Sequence, residues 1–90
     1  MGYRILIADD EPEIRDLLRL YLENEHYEVI EAQDGQQALE LLRSETPDMC
    51  VLDIMMPKMD GYEFTKVLRE SQNTLPILMV SAKHLPKDAR

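Results

Sequence analysis

Apolar and polar residues follow two rhythms along this chain, and the switches between them outline its elements. Ile5-Leu6-Ile7-Ala8 is a short continuous apolar run, the pattern of a strand covered on both faces of a parallel sheet. A first strand is therefore expected from Tyr3 to Ala8. Pro12 suits the first turn of a helix, where its missing N–H does no harm. Ile14, Leu17, Leu18, Tyr21 and Leu22 recur at helical spacing and predict a buried stripe, with Arg15, Asp16, Arg19 and Glu23 on the other face. That helix should fade near Asn24-Glu25. Glu28-Val29-Ile30-Glu31-Ala32 reads as a second strand, and the charges inside it suit a sheet edge. Asp34-Gly35 opens a second helix with Ala38, Leu41 and Leu42 inside, and Pro47 separates it from a third strand, Met49 to Leu52.

After Asp53 a loop leads to Asp60-Gly61-Tyr62-Glu63, whose spacing resembles a capping box. Phe64, Val67 and Leu68 would form the buried stripe of a third helix. Pro76 then precedes Ile77-Leu78-Met79-Val80, a fourth strand ending at Ser81. The order β-α-β-α-β-α-β predicts an α/β fold on a parallel sheet.

Ninety residues make one small domain, and 44% hydrophobic with 31% charged residues fit a folded, soluble chain. The net charge of −8 argues against gripping nucleic acid, which needs clustered Lys and Arg. No stretch matches a membrane span or a signal-peptide core, so a cytoplasmic location without a membrane partner is expected. Cys50 is the single cysteine and reads as a small core residue. His26 and His84 lack a second ligand at metal spacing and read as surface residues.

Charge placement changes the picture. Asp9 and Asp10 end the first apolar run, and Asp53 ends the third. A desolvated carboxylate is costly without a partner, and the carboxyl ends of neighbouring parallel strands lie together. If these runs are adjacent strands, three carboxylates converge, and a hard divalent cation would relieve their repulsion. Mg2+ is the best fit to phosphate chemistry. The bland alternative makes Asp9 and Asp10 helix caps and Asp53 a turn residue.

With these residues in place, the chain resembles a response regulator receiver domain of two-component signalling. The resemblance rests on Asp9-Asp10, Asp53, the segment Met56-Pro57-Lys58-Met59-Asp60-Gly61, and the hydroxyl in Ser81-Ala82-Lys83. It implies a flavodoxin-like doubly wound sheet of order 2-1-3-4, with Asp53 as phosphoacceptor and a sensor histidine kinase as phosphoryl donor. It further implies Mg2+ on Asp10, Asp53 and the backbone carbonyl of Met55, with Asp9 acting mostly through water. Ser81 would bond the phosphoryl group and act as a switch. Met55 and Lys83 side chains would flank that group.

A complete receiver also carries a fifth strand with a lysine, an aromatic switch residue and a last helix. The chain ends at Arg90, so the expectation is a receiver domain over residues 1–90, incomplete at the carboxyl end, impaired in phosphotransfer and without an effector domain. Its wholly apolar fourth strand would then be an open edge, inviting self-association through Ile77 to Ser81. Two other readings compete: a receiver-like interaction fragment, and a Mg2+-dependent aspartyl phosphatase of the haloacid dehalogenase type. The phosphatase needs an acid two positions after its nucleophile, and Met55 stands there. A nucleotide module is disfavoured because no glycine-rich loop follows the first strand.

Overall fold

A computed structural model describes residues 3–53, 59 and 61–80. The elements alternate as expected: β1 (Arg4–Ala8), α1 (Pro12–Asn24), β2 (Glu28–Ala32), α2 (Gly35–Ser44), β3 (Met49–Asp53), α3 (Gly61–Glu70) and β4 (Ile77–Val80). The strands pair in parallel in the order β2-β1-β3-β4. Consecutive strands β2 and β3 thus lie on opposite sides of β1. That reversal of direction is the switch point at which open α/β sheets place their sites.

Side chains alternate across a strand, so each run divides between two faces. Leu6, Ala8, Cys50 and Leu52 meet Ala38 of α2 and Phe64 and Leu68 of α3 in one buried cluster. Ile5, Ile7, Val51 and Leu78 belong to the opposite face. There Leu22 of α1 borders a groove lined also by Ile5, Val51 and Leu78. Burial of the first run is nearly complete on both faces, from Ile5 to Ala8. Cys50 is buried as expected, and burial pushes its thiol up to about 12.

The first helix corrects the expected stripe. Leu17 is 62% and Tyr21 69% exposed, so Tyr21 is not a core residue. Arg15 and Arg19, expected outside, instead lean across β2. Arg15 Nε donates to Glu31 at 3.0 Å, Arg19 bonds the other oxygen of Glu31 at 3.0 Å, and Arg19 also donates to the Val29 carbonyl at 3.0 Å. Ile14, Leu18 and Leu22 are half-buried as expected, and only the assignment of Leu17 and Tyr21 fails, because long arginine stems can cover a sheet edge while their heads pair with Glu31. Val67 likewise departs from its predicted stripe, at 36% exposed. The edge position of β2 agrees with its charges. Arg4 pairs with Glu28 at 2.9 Å and also with Glu45, the pairing that raises the Arg4 pKa most.

Two local features mark the start of α2. Asp34 caps the helix, its Oδ1 accepting from the Gln37 N–H at 2.7 Å. At Gly35 a Cβ would come within 2.7 Å of the Met59 backbone carbonyl, so no larger residue fits without a shift of Met59.

Candidate functional site

Ala8 of β1 is paired with Leu52 of β3, so the next residues, Asp9 and Asp53, leave the sheet side by side. Asp53 is the last residue of β3, and Asp10 follows Asp9 in the turn into α1. One carboxylate oxygen from each of Asp9, Asp10 and Asp53 lies within 4.8 Å of the others. Asp9 and Asp53 are buried, and Asp10 is half-buried at the mouth. The adjacency required by the sequence argument is therefore present.

Backbone order around Asp9 explains how a chain end can hold such a group. The Asp9 N–H donates to the Ala32 carbonyl of β2 at 3.1 Å. Asp9 Oδ1 accepts from the Glu11 N–H at 2.9 Å, closing a tight turn. Glu11 is the residue that precedes α1, and its carbonyl accepts from the Ile14 and Arg15 N–H groups, both at 3.1 Å. The first turn of α1, with its partial positive charge, thus begins directly after the acidic pair. The tight turn accounts for one oxygen of Asp9 and not for its meeting with Asp53.

The donor set fits a hard divalent cation. All three donors are carboxylate oxygens within 4.8 Å of one another, the donor type that hard divalent cations take. The cluster could hold such an ion. Met55 and Ser81, and with them Lys58, Asp60, Lys83 and His84, lie outside the described residues. His26 is exposed in the turn before β2, in a left-handed conformation with φ of 70°, as suits a surface residue.

Sequence reasoning missed one group at the site. The Arg15 Nη1 donates to the Asp9 carbonyl at 2.7 Å while its Nε holds Glu31. Two arginines one helical turn apart, opposite a strand with charges inside it, were the available signal.

A family model described as the response regulator receiver domain matches residues 5–90. The chain belongs to the response regulator receiver domain family. It is 48% identical over 88 residues to response regulator GtcR of Aneurinibacillus migulanus, covering 98% of this chain and 36% of the relative. It is also 48% identical over 83 residues to the alkaline phosphatase synthesis transcriptional regulatory protein PhoP of Bacillus subtilis, covering 92% and 35%. The chain spans about a third of the length of these curated relatives.

Among solved structures, the Francisella response regulator 1452 receiver domain superposes with a TM-score of 0.86 at 32% identity, over 90% of this chain and 67% of that one. The response regulator TrrA of Thermotoga maritima, solved in complex with Mg2+-BeF, gives 0.84 at 38% identity, over 99% and 77%. Receiver membership makes this chain a signalling switch domain, not a standalone enzyme. It sets aside the haloacid dehalogenase reading.

Proposed function

We propose that residues 1–90 form the phosphoacceptor part of a cytoplasmic response regulator, taking a phosphoryl group from a sensor histidine kinase onto Asp53. The convergence of three carboxylates at the ends of β1 and β3 carries this reading. The Mg2+-BeF complex of TrrA supports it from a 38% identical relative. Asp10 and Asp53 would hold Mg2+ directly, Asp9 through water, and the Met55 carbonyl would add a ligand. Bound there, Mg2+ neutralises charge on the transferring phosphoryl oxygens.

The protein's own part is positional. Strand β3 fixes Asp53 at the floor of the site, where a carboxylate oxygen attacks phosphorus. A P–O bond forms as the P–N bond to the donor histidine breaks, and its electron pair stays on the histidine nitrogen. Asp9 and Asp10 hold the neighbouring wall, and Ser81, next after β4, would bond a phosphoryl oxygen and carry the change outward. Incubation with acetyl phosphate and Mg2+ should add one phosphoryl mass to Asp53, lost in Asp53→Asn. Beryllofluoride with Mg2+ should give a fluorine resonance from bound species that the same substitution removes. Labelling that persists in Asp53→Asn would assign the acceptor elsewhere.

A further inference from the structure

The two oxygens of Glu31 bind two different arginines, and one of these arginines also reaches into the backbone of the acidic turn. The carbonyl it grips belongs to the peptide joining Asp9 to Asp10. Fixing that oxygen fixes the plane of the peptide, and with it the direction in which the Asp10 side chain leaves the chain. Arg15 is 17% exposed and Glu31 23%, so the pair is largely shielded and geometrically defined. Arg19 holds Glu31 from its other side, at 3.0 Å, and its bond to the Val29 carbonyl ties the assembly to the edge strand. The acidic turn is thereby tied through α1 to β2, as well as to β1 from which it grows.

We propose that Arg15, oriented by Glu31, is a positioning residue for the acidic site, setting the relative placement of Asp9 and Asp10 that cation binding needs. This rests on the reading of Asp9, Asp10 and Asp53 as a Mg2+ site. The guanidinium fork is the required chemistry, because it serves a carbonyl and a carboxylate at once. A lysine keeps the charge but offers a single point of attachment. Groups that hold a ligand in place commonly alter metal affinity by about tenfold to a hundredfold when removed.

Charge and positioning make opposite predictions. Were Arg15 only a nearby positive charge, its removal would leave the site more negative and tighten Mg2+ binding, while Arg15→Lys would change nothing. Positioning predicts Mg2+ binding about tenfold weaker in Arg15→Met, with Arg15→Lys and Glu31→Gln also weakened, as read by isothermal titration of Mg2+ alone. A second readout needs no metal. Amide exchange in metal-free protein should rise about tenfold at Asp10 and Glu11 in Arg15→Lys while Cys50, Phe64 and Leu68 keep wild-type protection.

A merely structural role would speed exchange at all these amides together and overturn the proposal. Unchanged exchange at Asp10 and Glu11, or Mg2+ binding kept or tightened in Arg15→Met, would also overturn it. Should the wild-type chain bind no Mg2+, the metal reading fails on that result, and the metal-free exchange still decides the role of Arg15. Arg15→Lys and Glu31→Gln keep the comparison open if Arg15→Met does not fold.

Discussion

The two faces of the sheet are built from the same strands and finished differently. Toward α2 and α3, alternate residues of β1 and β3 meet Phe64, Leu68 and Ala38 in a continuous buried cluster. Toward α1, Ile5 and Val51 are buried, but Leu78 of β4 is 50% exposed and a groove of about 440 Å³ runs beside it. No residue of α1 is fully buried, and its Leu17, Leu20 and Tyr21 face outward. Among the described residues, then, one face supplies most of the packing. The other holds Arg15, which reaches the acidic turn, and Arg19, which shares Glu31 with it. The buried cluster and the arginine–Glu31 network thus lie on different sides of one sheet.

The comparison breaks most easily at Phe64. Replacing this fully buried side chain by Ala should cost roughly 3–5 kcal/mol, whereas Leu78→Ala across the sheet should cost under about 1 kcal/mol. Urea unfolding of both variants checks this, and equal losses would erase the distinction between the faces. Cys50 offers a reporter on the same side. Its folded thiol loses a proton only near 12 against 9.0 when free, so the unfolded state deprotonates first and stability should fall as pH rises from 9.0 toward 12. In Phe64→Ala its labelling by a thiol reagent should speed up by the same factor as global unfolding.

Next in size is Gly35→Ala. The added methyl meets the Met59 carbonyl, so α2 and Met59 must separate, at about 1–3 kcal/mol. Mg2+ titration beside the unfolding curve sharpens the result. Weaker Mg2+ binding would show that the face of α2 and α3 also shapes the site. An unchanged affinity would leave that task to β1, β3 and α1.

Asp53→Asn should act in the opposite sense. Removing one of three converging charges relieves repulsion, so the metal-free protein should gain roughly 1–2 kcal/mol. If Mg2+ binds there, a concentration ten times its dissociation constant would stabilise the wild type by about 1.4 kcal/mol, and that increment should vanish in the variant. Thermal melts with and without Mg2+ measure both. A destabilised metal-free Asp53→Asn would show that repulsion is not what the cluster stores.

These expectations trace how far the chain could be read without coordinates. Wholly apolar runs identified β1, β3 and β4 because a parallel sheet leaves little room for polar residues inside it. The meeting of Asp9, Asp10 and Asp53 followed from strand ends alone, once β1 and β3 were adjacent. Helix α1 resisted the same reasoning. Its apolar period has more candidates than the edge of the sheet can cover, and the choice among them was made by pairing of Arg15 and Arg19 with Glu31. That is a contact between elements distant in sequence, invisible to any local period. The roles of Met55 and Ser81 rest on resemblance, since both lie outside the described residues.

The smallest effect on the fold is expected at Leu78 and concerns association. Strand β4 is an edge among the described residues, and Leu78 stands half exposed beside the apolar groove. An edge of this kind presents unpaired backbone groups together with apolar side chains, both of which a second copy could cover. A twofold axis normal to the sheet would bring two β4 strands together antiparallel, with Ile77 to Val80 at the contact. Leu78→Lys should change the stability of one chain by no more than about 0.5 kcal/mol, because the side chain is already half exposed and a lysine stem can keep its apolar contacts. It should nonetheless abolish association by placing a like charge on both sides of the axis. Light scattering over a concentration series separates the two quantities. A wild-type chain that stays monomeric at high concentration, with fast amide exchange along β4, would remove the edge as a contact and leave the asymmetry of the faces a property of single molecules.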